Sequence, residues 1–365
     1  MIIAEDYKNG EKIKSVAKLL AKEADTGRNY RFMDFCGGHT YVLAKNALED
    51  LLPANITMIH GPGCPVCILP AARISVAIKA SLLPDVVFCT YGDVMRVPNA
   101  KGESLFTAKA QGADIRMVYS VLDALQVARE NPKKNVIFMA IGFETTAPTA
   151  AAAILEAKKE AITNFFILSN QVLTTSAMQA VLAEGVPLDG IVAPGHVCMV
   201  TGLAPFAKPA EKYRKPMVVT GFEPLDMMLA ILMLVRQVNK GGFALENEYR
   251  RALAFAGNAK AMAALNEVFS ERRDFKWRGL GVLPESSFAL NPVYAIYDAE
   301  AKWDLPEIEE DEPKACECSE IIKGLKKPPE CPLFGKVCRP ENPVGACMVS
   351  GEGTCAAYYK YRRIG

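Results

Sequence analysis

The chain reads as an α/β protein: two helix-covered, mainly parallel sheet domains followed by a cysteine-rich C-terminal element. Three observations predict this. Short apolar runs bounded by turn residues alternate with helical patterns between residues 30 and 240, the signature of parallel strands joined by crossover helices. The last 50 residues abandon that alternation, interleave glycine and proline, and hold six of the eleven cysteines. The chain has 365 residues, half of them apolar, enough for two or three domains with their own cores.

Charge excludes some functions. Lys plus Arg total 42 and Asp plus Glu 41, and a net charge of +1 gives no footprint for nucleic acid or an anionic membrane. No apolar run approaches the length of a membrane-spanning helix. The start, Met1-Ile2-Ile3-Ala4-Glu5-Asp6-Tyr7-Lys8, lacks a basic region followed by an apolar core, so no secretory signal is expected and a reducing cytoplasm is the expected location.

Residues 1–30 carry one amphipathic helix, over 5–25, with Ile13, Val16, Leu19 and Leu20 on one face, expected to pack with the C-terminal element. A first α/β domain is expected over 31–133. Residues 30–35 read as a strand running into Cys36-Gly37-Gly38-His39-Thr40, with a helix following through Leu51. A cysteine at such a turn meets outward-pointing N–H groups that favour a thiolate. The alternative is a buried structural cysteine. Residues 56–60 form the next strand, leading into Gly61-Pro62-Gly63-Cys64-Pro65-Val66-Cys67 and a helix over 71–81. Cys-Pro-x-Cys at a helix entrance suits a dithiol redox pair or a two-cysteine metal corner. No second Cys-x-x-Cys completes a four-ligand site, which tips the reading towards redox. Residues 85–90 are a third strand holding Cys89 as a core cysteine. Asp93, beyond its end, is a candidate site residue or a solvated loop aspartate. A strand at 115–119 and helices near 104–112 and 121–130 complete the unit. Ligands of parallel sheets collect at the carboxyl ends of the strands, where Cys36, Cys64 and Asp93 fall.

A second α/β domain is expected over 134–240. Residues 136–141 are a strand, followed by Gly142-Phe143-Glu144-Thr145-Thr146-Ala147-Pro148 and an alanine-rich helix, with Thr145 or Thr146 as its cap and Pro148 in its first turn. Strand, Gly-Phe-Glu and helix recur at 217–224, and the two copies read as related βα units of one sheet. Glu144 stands either as a site carboxylate or as a capping or salt-bridging group. Strands at 164–168 and 189–193 lie between the copies. The second ends at Pro194-Gly195-His196-Val197-Cys198, where His196 is a ligand, an acid–base partner or simply a hydrogen-bonded structural histidine. All three histidines, His39, His60 and His196, lie within a few residues of a cysteine.

Residues 241–365 form the last region: a helix over about 245–270, a glycine turn at Gly279-Leu280-Gly281, an acidic run at 307–313 read as a solvated linker, and the cysteine tail. Loop-rich sequence of this kind needs stapling by disulfides or by a metal. Zinc fingers and ribbons favour paired short Cys-x(2–4)-Cys loops, which the spacing of Cys316, Cys318, Cys331, Cys338, Cys347 and Cys355 does not repeat. All-sulfur ligation without histidine favours an iron–sulfur cluster, with zinc, disulfides or free thiols as the other readings. No phosphate loop, nucleophile elbow or complete dinucleotide fingerprint occurs, which disfavours an ordinary kinase, hydrolase or dehydrogenase.

Taken together, Cys36-Gly-Gly-His39, Gly61-Pro-Gly-Cys64-Pro-Val-Cys67, Gly142-Phe-Glu-Thr-Thr-Ala-Pro148, Pro194-Gly-His196-Val-Cys198 and the tail CPLFGKVCRPENPVGACMVSGEGTCAAYYKY resemble the HypD family of hydrogenase maturation factors across essentially the whole chain. Tyr41 stands where the family's first motif commonly carries a second histidine, so no ligand or proton role is assigned there. The resemblance implies a cytoplasmic scaffold with redox capability that assembles the Fe(CN)2CO fragment of [NiFe]-hydrogenase in complex with HypC. Cyanide would arrive by way of HypE, with HypF upstream, and the product would go on to the hydrogenase large subunit. It implies one [4Fe–4S] cluster, placed on Cys331, Cys338, Cys347 and Cys355, with Cys318 the nearest substitute. Cys36 is the expected holder of the iron fragment and His39 a nearby proton carrier or orienting group. Cys64 and Cys67 are expected as a thiol–disulfide pair, and Glu144, Asp93 and His196 as site-lining groups. The alternative is a stand-alone iron–sulfur thiol–disulfide oxidoreductase.

Overall fold

A computed structural model describes residues 4–269, 271–305 and 308–362. Along the chain come β1 (Tyr30–Asp34), β2 (Ile56–His60), β3 (Val86–Thr90), β4 (Asp114–Met117), β5 (Asn135–Gly142), β6 (Phe165–Gln171), β7 (Gly190–Pro194), β8 (Met217–Thr220) and β9 (Leu245–Asn247). These build two wholly parallel sheets, in the orders β2-β1-β7-β8-β9 and β4-β3-β5-β6. Helices cover them, and β3 and β6 are buried along their whole length, as strands covered on both faces must be. The α/β class and the cysteine-rich end are as the sequence predicts.

The sheets do not divide the chain at residue 133. After β1 and β2 the chain leaves to build the second sheet and returns as β7, β8 and β9, so the first sheet is discontinuous in sequence. Apolar periodicity reports where strands are but not which strand pairs with which. The two Gly-Phe-Glu copies are separated for the same reason. Gly142 ends β5 in the second sheet, whereas Gly221 follows β8 in the first, so they are not units of one sheet.

The N-terminal helix is shorter than expected: a 3-10 turn over Ala4–Lys8, then Gly10–Glu23, capped by the Asn9 side chain on Glu11 and Lys12 N–H groups. Ile13, Val16 and Leu20 pack against the helix Pro224–Asn239 in one apolar cluster with β1 and β2, and Arg236 pairs with Glu23 at 2.7 Å. The helix therefore covers the first sheet rather than packing with the C-terminal element.

Between 245 and 270 the expected helix is interrupted. β9 adds an edge strand to the first sheet, and only Ala259–Val268 is helical; Ser270 lies outside the described residues. Gly257 has φ +69°, and a Cβ there would meet the Gly202 nitrogen at 2.3 Å, which breaks the helical run. The Gly279–Gly281 turn joins an antiparallel hairpin, β10 (Glu271–Trp277) with β11 (Gly281–Ala289).

The acidic run is not a solvated linker, although its first residue, Glu307, lies outside the described residues. Glu310 accepts from Ser75 Oγ at 2.5 Å and from the Ala100 N–H at 2.9 Å. Glu312 accepts from the Ala71 N–H at 3.0 Å and pairs with Arg278. Charge count gave no sign of these partners, which the fold supplies from far along the chain.

A buried network ties the last helix, Thr354–Tyr361, to the edge of the first sheet. Asp34 and His60 are register partners on β1 and β2, and His60 Nδ1 lies 2.6 Å from Asp34 Oδ2. The other ring nitrogen lies 3.4 Å from Tyr358 Oη and 3.8 Å from Glu49 Oε1, and Arg362 pairs with Glu49 at 2.8 Å. Burial alone would lower the His60 pKa, but Asp34, Tyr358 and Glu49 hold it well above the usual imidazole value. Burial raises the Glu49 pKa, yet His60 and Arg362 outweigh it and hold the carboxyl at about 2.

Two outcomes follow from these contacts. Glu310→Ala should lower unfolding free energy by about 1–3 kcal/mol, since it leaves two donors unpaired, where a solvated residue would cost under about 0.5; chemical denaturation measures this. Glu49 has a depressed folded-state pKa, so its stabilisation is complete above its unfolded value and fades as pH falls towards 2. The stability gap between wild type and Glu49→Gln should therefore shrink, by about 3 kcal/mol at most, between pH 4.5 and 2 in urea titrations.

Candidate functional site

The carboxyl ends of both sheets face one cleft of about 1070 Å³. Its walls come from Phe35 and Cys36 after β1, Gly63 after β2, Tyr91 and Asp93 after β3, Gly142 after β5, and Pro194 and His196 at the end of β7. The tail adds Ser350, Gly351 and Glu352. Cys36, Asp93 and His196 thus share a single cavity, and the Cys64–Cys67 loop borders it through Gly63, Pro65 and Val66. His39 and Glu144 lie behind its surface.

Cys36 occupies the N-cap position of the helix Gly37–Lys45. Its neighbours crowd its backbone. A Cβ on Gly63 would lie 2.4 Å from Cys36 N and Cα, and one on Gly37 would lie 2.6 Å from the Glu352 carbonyl oxygen. The Gly37 N–H donates to the Gly63 carbonyl at 3.0 Å. Glycine is required at both positions because no side chain fits between these strands of backbone. Burial pushes the Cys36 thiol up to about 12, and the Glu352 and Asp34 carboxylates add to it. The N–H groups of Gly38 and His39 oppose this, as a helix start should, but do not prevail. Cys36 is therefore a thiol, not the thiolate its position suggests, until a cation reaches it.

Phe222, from the second Gly-Phe-Glu segment, lies between two histidines. Its ring is stacked on His39 at 4.5 Å between centroids and tilted against His196 at 4.0 Å. Gly38 makes room, since a Cβ there would lie 2.8 Å from the Phe222 ring. His39 is fully buried, neither ring nitrogen makes a well-formed hydrogen bond, and the Thr220 and Gly221 backbone lies alongside. Burial holds its pKa down to about 4, and that of the half-buried His196 is also lowered by burial. At neutral pH His39 is uncharged. Sequence reasoning missed Phe222; its only signal was the repeated Gly-Phe-Glu.

Cys64 and Cys67 form a disulfide, both residues buried, with the Cys67 N–H donating to Cys64 Sγ at 3.2 Å. Glu144 accepts from the Thr174 N–H at 3.0 Å and from its hydroxyl at 2.7 Å, at the start of the helix Thr174–Ala183, so of its two readings the capping one describes its contacts. Burial raises its pKa. Asp93 leads into the 3-10 turn Val94–Arg96, whose Arg96 donates to the Val349 carbonyl at 3.0 Å and so joins the cleft wall to the tail. Cys89 and Cys198 are core cysteines, their thiols raised by burial. The Asp34–His60 pair directly behind Cys36 was also missed: a lone aspartate in a strand carries no signal of a partner on the next strand.

The six tail cysteines line one small cavity together with Ile321, Leu333, Phe334 and Met348. Cys318 Sγ and Cys347 Sγ lie 2.6 Å apart, and a Cβ on Gly345 would meet Cys316 Sγ at 2.4 Å. Cys318 is held well above the usual thiol pKa; Cys316 lowers it, but Cys347 and burial prevail. Among the described residues no group of three His, Cys, Asp or Glu side chains is arranged to hold a single ion. A ring of sulfurs around an apolar cavity is a different arrangement, and it fits a multi-iron cluster. The donors are soft and, apart from Cys316, buried, and a thiol beside a cationic core gives up its proton.

The family model described as HypD, hydrogenase formation hypA family, matches residues 11–362. The chain is 50% identical to the hydrogenase maturation factor HypD2 of Bradyrhizobium diazoefficiens, covering 100% of this chain and 98% of that protein. It is 50% identical to HypD of Rhizobium leguminosarum, with 99% and 95% covered. It is 42% identical to HypD of Escherichia coli, with 100% and 99% covered. Matched by the family model over residues 11–362 and by relatives along its whole length, the chain belongs to the HypD family of hydrogenase maturation factors.

Proposed function

We propose that this protein is a cytoplasmic scaffold on which the Fe(CN)2CO fragment of a [NiFe]-hydrogenase is assembled, with Cys36 as the sulfur that holds the iron. One observation carries the reading: a thiol in a glycine-walled niche, opening on a cleft built by both sheets and the tail. Ferrous iron bearing strong-field cyanide and carbonyl ligands takes a soft thiolate well. Because the Cys36 thiol is protonated when free, loading releases a proton. Asp93 and His196 line the cleft around the cargo, and His39 fixes the Phe222 ring behind it. Glu144, whose contacts are those of a cap, holds the helix that supplies Thr174 to the cleft wall.

Cys331, Cys338, Cys347 and Cys355 are the proposed holders of a [4Fe–4S] cluster, with Cys318 the substitute in contact with Cys347. Such a cluster supplies one-electron storage. The Cys64–Cys67 disulfide beside Cys36 is the proposed two-electron partner site, taking up two electrons and two protons on opening to the dithiol.

HypC is the proposed docking partner at the cleft mouth, where Met117, Tyr119 and Met199 line the cleft and stand exposed, Tyr119 by 87%. HypE, with HypF upstream, is the proposed cyanide source, and the hydrogenase large subunit the destination. The closed disulfide also favours a second reading, a stand-alone iron–sulfur thiol–disulfide oxidoreductase.

Cys36→Ala separates the two. On the scaffold reading the purified variant keeps wild-type iron and sulfide content but shows no cyanide or carbonyl infrared bands with HypC and supports no hydrogenase activity in a deletion host. Normal maturation by that variant rejects Cys36 as the iron holder. Cys338→Ala is expected to lose the brown absorbance and most of the iron, measured by anaerobic metal analysis; unchanged iron and sulfide content rejects that ligand choice.

A further inference from the structure

Arg278, the first residue after β10, is 2% exposed, an unusual place for a guanidinium. It is hooked to the loop that follows the Cys64–Cys67 disulfide. Its backbone N–H donates to the Ile68 carbonyl at 2.8 Å and its Nε to the Leu69 carbonyl at 3.0 Å. Nη1 pairs with Glu312. Nη2 is buried and has no hydrogen-bond partner among the described residues.

The next residue fixes the turn against the cysteine cage. Gly279 has φ +79°, and a Cβ there would lie 2.9 Å from Ser319 Cα, so the turn is pressed onto the first turn of the helix Cys318–Ile322. Cys318, the residue before Ser319, has its Sγ 2.6 Å from Cys347 Sγ, so the turn that carries Arg278 abuts the sulfur cage.

Burying an arginine with one amino group unpaired is costly in a chain that offers it only one carboxylate. That cost is offset where the missing partner is an anion. A cubane cluster on four thiolates carries net negative charge and exposes acceptor sulfurs, and its potential follows local charge and hydrogen bonds to those sulfurs.

We propose that Arg278 is the counter-charge that sets the reduction potential of the cluster held by the tail cysteines. It is a positioning residue, locked in place by the Ile68 and Leu69 carbonyls and by Glu312. The proposal rests on the iron–sulfur reading of the tail and goes beyond it by naming the residue that tunes the site. A fixed positive charge favours the more negative, reduced cluster and so raises the potential. Glu312 partly neutralises that charge.

The test is an anaerobic redox titration of the full-length chain and two variants, read by the electron paramagnetic resonance signal of the reduced cluster. Arg278→Gln should shift the midpoint to more negative potential. Glu312→Gln, which leaves the guanidinium less neutralised while keeping an amide oxygen for the Ala71 N–H, should shift it the opposite way. Opposite signs at equal iron content support the proposal, because loosened packing alone would not separate the two variants by direction. No shift in either, or shifts of the same sign, overturns it. Where Arg278→Gln fails to retain iron, the Glu312→Gln shift decides alone: a rise supports the proposal and its absence overturns it. A wild-type chain that binds no iron and sulfide overturns the cluster reading itself, a separate outcome.

Discussion

The parallel pairing of β1 with β7 places Cys36 and His196 at one rim. Phe32 lies opposite Gly190, and the strands that follow deliver Cys36 and Pro194-Gly195-His196 side by side. The pairing tolerates little: a Cβ on Gly190 would come within 3.2 Å of the Phe32 ring and 3.0 Å of Leu234. Between the two strands the chain builds the whole of the second sheet. Loop-closure entropy grows only logarithmically with length, so an insertion of that size is thermodynamically mild. Its consequence is geometric: two sheets linked by two crossings present their carboxyl ends to one cavity.

Electrostatics then decide what the cavity holds. A helix start should stabilise a thiolate at Cys36, but partial burial opposes it and Glu352 and Asp34 supply negative charge. The Asp34 carboxylate is committed on both oxygens, to the Thr40 hydroxyl at 2.8 Å and to His60 at 2.6 Å. His39 and His196 are kept neutral by burial, and among the described residues no lysine or arginine lines the cleft. A niche that disfavours the bare thiolate gains its charge when a cation arrives, which is what the proposed role of Cys36 asks of it.

Much of this was legible in the sequence because it is local. Strand runs and Pro148 in the first turn of its helix follow from neighbours a few residues apart. The rim positions of Cys36 and Asp93 were legible because parallel sheets collect ligands at one edge, and Cys64, expected beside them, lies in the loop that borders the cleft. What sequence hid was long-range. The first sheet's break, Phe222 between two histidines, and the Glu310 and Glu312 contacts depend on segments distant along the chain. Charge itself misled: a run of acids reads as solvated when its partners, Ser75, Ala71 and Arg278, are out of view.

The tail is more than an appended cage of cysteines. Between Cys347 and Cys355 runs the loop that carries Ser350, Gly351 and Glu352 into the cleft wall. It is clamped at both ends. A Cβ on Gly353 would sit 2.2 Å from the Cys347 carbonyl oxygen, and Glu352 is packed on Gly37. Cage and niche therefore share backbone: whatever fixes the spacing of Cys347 and Cys355 also fixes the wall behind Cys36. Arg96 on Val349 and Tyr358 on His60 repeat the connection on either side of that loop. The sulfur cage and the niche around Cys36 are thus packed against one another through the same close-packed stretch of chain.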